Sequence, residues 1–391
     1  MTAQDSASVR VLLDATSVPP DEGGVARYLR GLVSGLLGNP DVELHIACQA
    51  KDAAWIREMN PDARVHIAPA AVSRRVVRLV WEQVGLPKLA RRIGAEVIHA
   101  PHYTMPLSSG IPTVVTVHDA TFFSHPDVHS RLKGAFFRTW CRVSARSATV
   151  LVAPSHATRD EFRTHTGGPR RPFTVAYHGV DRTRFRKPDA AAVANFAARH
   201  DVAPGRWIAF LGTIEPRKNV PNLIRAFEQL VASSAQNSDL VLLLAGARGW
   251  DDSVDPLIEN SPVRTQIRRV GYLEETDLPA LLGGALCVAY PSVGEGFGLP
   301  VLEAMSCGAT VLTTRALALP EVGGDAVAYS GTDAASIAAE LQALTEGEPR
   351  RQQLAGAALA RAEEFTWADS ARVHRAAYLY AGGRREHHDG G

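Results

Sequence analysis

The chain has 391 residues, of which 46% are hydrophobic and 21% charged, a globular rather than a disordered composition. Its 42 Lys and Arg nearly cancel its 41 Asp and Glu, so overall charge gives no argument for a nucleic-acid partner. The length exceeds what one core usually fills, and two domains are expected.

Residues 1–8 are polar and lack the apolar core of a signal peptide, and no run approaches the roughly 18 apolar residues of a membrane span. Apolar, β-branched runs at 9–13, 42–47, 65–68, 96–99, 113–117, 150–153 and 173–177 predict strands. Helix-period segments at 24–37, 74–93, 131–145 and 156–164 lie between or after them. This alternation predicts a mainly parallel sheet covered on both faces. Residues 181–188 are polar, basic and aperiodic, and read as the interdomain linker. The pattern restarts with strands at 207–211, 240–245, 286–290 and 310–312, and residues 367–380 have helical apolar spacing. The Gly- and His-rich tail 382–391 reads as disordered, with solvated histidines. Cys48, Cys141, Cys287 and Cys307 have no metal-like or redox spacing and read as buried thiols of a reducing, cytosolic compartment.

Two segments of the second half carry chemistry. Gly294-Glu295-Gly296-Phe297-Gly298-Leu299-Pro300, with Glu303 after it, follows a strand and opens a helix whose first turn suits Pro300. The glycines let backbone approach a ligand, and two acceptor-only carboxylates beside bare N–H donors suit a polyhydroxylated molecule. Gly212-Thr213-Ile214-Glu215-Pro216-Arg217-Lys218-Asn219 also follows a strand and precedes a helix-period run. Asn219 is a good N-cap type, which puts Arg217 and Lys218 at a helix N-terminus, a setting for a diphosphate. Negative charge builds on a departing phosphate, and a preplaced Lys218 ammonium would stabilise it. No Asp-x-Asp occurs, so cations and helix ends take the place of a metal.

Together these segments resemble family 4 of the retaining glycosyltransferases. Gly23-Gly24-Val25, Val117-His118-Asp119, Pro154-Ser155, His178-Gly179-Val180-Asp181 and Leu319-Pro320-Glu321-Val322 extend the likeness, in the family's order, over nearly the whole chain. The resemblance implies an α/β protein of GT-B architecture, two Rossmann-like domains facing each other across a deep cleft. Residues 1–183 would form the acceptor-side domain, rejoined by the helix 367–381, and residues 184–366 the nucleotide-sugar domain.

By the same resemblance Glu303 would accept from ribose hydroxyls and Glu295 from the donor sugar, with Phe297, Gly298 and Leu299 N–H groups alongside. Gly23 and Gly24 would meet the diphosphate, and His118 the donor sugar. Asp119 would either orient the His118 ring or cap the next segment. Relatives often carry Arg directly after the glycine matching Gly212, whereas Thr213 stands here, so the second positive charge stays open between side chains. The implied reaction is transfer of a hexose, most closely mannose from GDP-mannose, to a glycan or lipid-linked acceptor with retention and without metal or other cofactor. UDP-glucose and other donors stay open, and Ala318 stands where a Ser often precedes Leu-Pro-Glu-Val. A sugar-nucleotide epimerase is disfavoured by the paired motifs, a silent sugar-nucleotide binder by intact Lys218, Glu295 and Glu303, and a nicotinamide dehydrogenase by the missing Gly-x-Gly-x-x-Gly. The basic and apolar segment from Ser73 to Glu82 either touches an anionic membrane surface or packs on its own domain.

Overall fold

The computed structural model describes residues 8–18, 23–126, 131–168 and 171–384. Part of the tail expected to be disordered, 385–391, lies outside them.

Two compact units are present, one of 1–179 with 366–391 and the other of 180–365. The segment 181–188 therefore belongs to the second unit. The first holds a parallel seven-stranded sheet: β1 (Val9–Asp14), β2 (Val42–Cys48), β3 (Arg64–Ile67), β4 (Val97–Ala100), β5 (Thr113–Thr116), β6 (Val150–Ala153) and β7 (Phe173–Val175). Their spatial order is β3-β2-β1-β4-β5-β6-β7. The second holds six parallel strands, β8 (Trp207–Leu211), β9 (Val241–Ala245), β10 (Ile267–Gly271), β11 (Cys287–Tyr290), β12 (Val311–Thr314) and β13 (Ala328–Ser330), in the order β10-β9-β8-β11-β12-β13. In each sheet the order reverses once, between β1 and β4 and between β8 and β11. Loops at such a reversal part to leave a crevice at the strands' carboxyl ends, where α/β sheets bind ligands.

The central strands are apolar on both faces because helices cover both, and β4, β5, β6, β8, β9, β11 and β12 are buried throughout. Edge strands read differently. β10, Ile-Arg-Arg-Val-Gly, and the three-residue β13 have no apolar run, and sequence reasoning missed both. All four cysteines are free and buried.

The helix Trp367–Ala381 packs on the helix Gly24–Gly35 within the first unit. Two glycines one turn apart make room for it. A Cβ on Gly31 would lie 1.9 Å from the Trp367 indole, and one on Gly35 would lie 2.3 Å from the Trp367 carbonyl oxygen. Among the described residues, no helix is long and apolar enough to cross a membrane.

Candidate active site

The second unit's reversal point gathers the charged groups. From the end of β8 the chain runs through Gly212 and Thr213 into a short 3₁₀ turn, Pro216–Lys218, and then the helix Val220–Ser233. The loop after β11 carries Ser292 to Gly298 and opens the helix Leu299–Ser306, with Pro300 in its first turn. Gly298 takes φ 103°, a conformation that favours glycine.

Glu295 is turned inward. Its Oε1 accepts from Lys218 Nζ at 2.6 Å, from the Tyr290 hydroxyl at 3.0 Å and from Ser292 Oγ at 2.8 Å. Its Oε2 pairs with Arg217, which also donates to the Gly294 carbonyl at 2.7 Å and pairs with Glu215 at 2.6 Å. Lys218 donates to the Tyr290 hydroxyl as well. Burial alone would raise the Glu295 pKa, but Arg217 and Lys218 outweigh it and hold the carboxyl at about 2. Burial, with the neighbouring Arg217, lowers the Lys218 pKa against the pull of Glu295. Lys218 and Glu295 are only 8% and 7% exposed, so little water screens the pair.

The sequence expected Glu295 to face a ligand and the cations to stand ready for a phosphate; the structure bonds the three to one another. Asn219 also differs from its expected role. It adopts the left-handed conformation with φ 59° and makes no side-chain cap. Its amide instead donates to the Pro291 and Thr332 carbonyls at 3.1 and 2.7 Å, tying the turn to the neighbouring loops.

Glu303 is buried in the helix that follows the Gly-rich loop, while Phe297 packs edge-on to Phe365 with ring centroids 5.9 Å apart. Leu299 is buried and Thr213 half-buried. Tyr290, Ser292 and Glu215 belong to the cluster, yet sequence reasoning gave them no role. The signal lay in a Tyr-Pro-Ser directly before the Gly-rich loop, which looked like the end of a strand.

Gly23, Gly24 and His118 lie in the first unit. Gly23 precedes the helix Gly24–Gly35 with φ −70°, which any residue can adopt, and a Cβ on Gly24 would meet no atom within 4 Å. Backbone conformation therefore does not require glycine at 23, nor packing a glycine at 24. His118 follows β5, its Nε2–H donating to the Pro101 carbonyl at 2.7 Å. Burial lowers its pKa, opposed by that carbonyl and by Asp119, so the ring is neutral near pH 7. Asp119 accepts from Thr121 N and Oγ1 at 3.1 and 2.9 Å, just ahead of the short helix Thr121–Ser124. Among the described residues no three of His, Cys, Asp and Glu form a metal-holding group.

Comparison with known proteins then decides the family. Residues 199–361 match the family described as glycosyl transferases group 1, and residues 22–184 match glycosyltransferase family 4. O-antigen chain mannosyltransferase B of Escherichia coli is 30% identical over 273 residues, 69% of this chain and 71% of that protein. The chain belongs to glycosyltransferase family 4. The serotype-specific mannosyltransferase WbdA of Escherichia coli is 34% identical over 172 residues, 44% of this chain but only 21% of that longer protein. A D-inositol 3-phosphate glycosyltransferase of Pseudarthrobacter chlorophenolicus is 25% identical over 94% of this chain and 93% of its own. Among solved structures, Anabaena HepE in complex with UDP-glucose superposes with a TM-score of 0.74 at 19% identity, covering 95% of this chain and 99% of that one. WaaG, a glycosyltransferase involved in lipopolysaccharide biosynthesis, gives 0.72 at 15% identity over 94% and 99%. These neighbours establish the fold as GT-B, and the family makes the chain a glycosyltransferase.

Proposed function

We propose that this family member moves mannose from GDP-mannose to a glycan or lipid-linked acceptor, with retention and without metal. The observation that carries the transfer chemistry is the buried Arg217–Lys218–Glu295 cluster at the reversal point of the second sheet. On donor binding, Lys218 and Arg217 exchange part of their bonding to Glu295 for the diphosphate. The ammonium then stabilises charge on the departing β-phosphate, Glu295 turns to sugar hydroxyls, and Glu303 takes the ribose. The departing phosphate helps deprotonate the acceptor hydroxyl on the same face of the sugar, which gives retention without a covalent intermediate. Mannose is favoured by the named mannosyltransferases at 30% and 34% identity. A UDP-glucose donor is the second reading, favoured by the fold neighbour solved in complex with UDP-glucose.

A panel of sugar nucleotides assayed for nucleoside diphosphate release, with the product anomer read by NMR, tests the reading. Release confined to UDP-sugars would remove mannose, and an inverted product would remove retention. Activity lost in EDTA and restored by magnesium would remove the metal-free mechanism.

The reading includes a place at the inner face of the cell membrane. Of the exposed large apolar side chains among the described residues, Val76, Val80 and Val84 form one stripe on the helix Arg75–Ile93. Ile67 and Leu107 flank it; Leu107 N–H is bonded to Gln83 of that helix at 3.0 Å. A cavity of about 330 Å³ beside Ile67 is lined by Trp81, Leu89, Lys88 and Arg92. Exposed Arg74, Arg75, Lys88 and Arg92 are paired with no carboxylate among the described residues. An apolar stripe with unpaired cations suits an anionic bilayer. Flotation with phosphatidylglycerol vesicles should be lost in Val80→Asp and weakened in Lys88→Glu. Equal binding to neutral phosphatidylcholine would overturn it.

A further inference from the structure

Five buried polar side chains of the first unit form one hydrogen-bonded chain whose direction can be worked out. His374 Nδ1 lies 2.8 Å from the Ser370 carbonyl, which only accepts, so Nδ1 carries the proton and Nε2 is bare. The Tyr28 hydroxyl, 2.9 Å from that Nε2, must donate to it. Its oxygen is then the acceptor for Thr116 Oγ1, 2.9 Å away. With its own proton given to Tyr28, Thr116 accepts from His99 Nε2–H at 2.8 Å. His99 Nδ1 is therefore bare and accepts from the Tyr378 hydroxyl at 2.8 Å. Both imidazoles are neutral, and all five side chains are buried.

The elements joined are the ones that present candidate site groups. Tyr28 lies about one turn beyond Gly24 on the same helix, and its ring meets His118 edge-on with centroids 5.0 Å apart. Thr116 ends β5, two residues before His118. His374 and Tyr378 both belong to the helix Trp367–Ala381. The last helix thus grips Tyr28 from one side and β5 grips it from the other.

We propose that Tyr28 is a positioning residue for sugar transfer, holding the His118 ring in one arrangement, and that the last helix contributes to transfer through His374. This rests on the reading that His118 meets the donor sugar. A tyrosine bonded at both faces of its hydroxyl cannot turn without breaking two buried hydrogen bonds, so the wall beside His118 is fixed. Misplacement of a site group by about 1 Å can cost on the order of 100-fold in rate.

The test uses the full chain with Tyr28→Phe, which keeps the ring and removes both hydrogen bonds, and His374→Leu, which breaks the chain one link away. Each should lower kcat roughly ten- to hundredfold at a temperature where circular dichroism shows the fold intact. The donor KM and the nucleoside diphosphate Kd should stay within about twofold, because Lys218, Arg217 and Glu303 belong to the other unit. The double variant should lose little more than either single one. His374→Gln, which returns an acceptor to Tyr28, should recover most of kcat. A merely structural role would lower Tm and leave kcat alone, and a folded Tyr28→Phe enzyme with wild-type kcat overturns the proposal. Parallel loss of kcat and nucleotide binding overturns it equally. Lys218→Ala, assayed alongside, reports on the transfer chemistry alone, so either reading can fail by itself.

Discussion

Lys218 and Glu295 set the energetics of the candidate site at the scale of single residues. The ammonium is bonded to a carboxylate at 2.6 Å and Arg217 shares the same carboxylate, so positive charge is held in place but neutralised. On the proposed reading a diphosphate competes with Glu295 for both cations. Glu295→Gln, which keeps the volume and removes the charge, should therefore tighten binding of the free nucleoside diphosphate several-fold while turnover falls; calorimetry and initial rates measure the two halves, and weaker binding would refute the competition. Lys218→Ala should cost on the order of 100-fold or more in turnover with the fold retained, since one lost electrostatic contact to a developing charge is worth that much. A folded Lys218→Ala enzyme within a few-fold of wild type would take the residue out of the mechanism. The sequence singled out Arg217, Lys218 and Glu295 because opposite charges among glycines after a strand are unusual, and the structure bonds these three together. Tyr290 and Ser292 were not singled out, because they look like the end of a strand and its loop until the fold brings them to Glu295.

At the scale of elements, the glycines of the first helix divide into two kinds. Gly35 faces backbone of the last helix, where nothing flexible can yield, whereas Gly24 faces open space. Gly35→Ala should lower Tm by several degrees, the shift for roughly 1–3 kcal/mol of overpacking in a unit of this size. Gly24→Ala should leave Tm unchanged or slightly raised and yet reduce transfer, on the expectation from the family resemblance that this turn meets the diphosphate. Thermal denaturation of both variants beside donor kinetics separates packing from ligand approach; a Gly24→Ala variant as destabilised as Gly35→Ala would contradict the open space seen here. The central strands were readable because burial on both faces demands unbroken apolar runs. Edge strands β10 and β13 escaped because one side of an edge meets solvent and tolerates Arg and Ser. The bonded pair Tyr28 and His374 lies 346 residues apart, so no local pattern could disclose it.

Acid response belongs to the whole molecule, because the two units carry opposite kinds of buried titration. In the first, burial lowers His374 from 6.5 to about 4 and His102 to about 3, and holds His99 and His178 well below the usual range. Below pH 6.5 the unfolded chain takes up these protons first, so stability falls from there down to about pH 4, by about 3 kcal/mol for His374 alone. Buried carboxyls of the same unit oppose this, Glu82 rising to about 7 and Asp14, Asp52 and Glu161 raised as well, but the lowered histidines, with His45, His66 and His118 among them, outnumber them. In the second unit Glu295 is depressed to about 2, so its contribution persists until pH falls below about 4.5. Acid unfolding should therefore proceed in two steps, the unit of 1–179 and 366–391 first. Hydrogen exchange followed by mass spectrometry at pH 7, 5 and 3.5 should show protection lost around Tyr28 and His374 before it is lost around Glu295. Simultaneous loss would show that the units unfold as one.

The path of the chain decides how family members could be recombined. It leaves the first unit between Gly179 and Val180 and returns between Phe365 and Thr366, and the two crossings are adjacent, Val180 N–H donating to the Phe365 carbonyl at 3.2 Å. A graft of the second unit from another family member therefore needs two joins, not one. Exchanging everything downstream of the first crossing would import a foreign terminal helix, whose counterparts of Trp367 and His374 must then settle onto native Gly31, Gly35 and Tyr28. Ending the graft ahead of Thr366 keeps those partners together, and with them the hydroxyl contacts of Tyr28. Chimeras built to that second boundary should fold with the first unit as stable as the recipient's own, while single-join chimeras should express as protein with a loosened first unit.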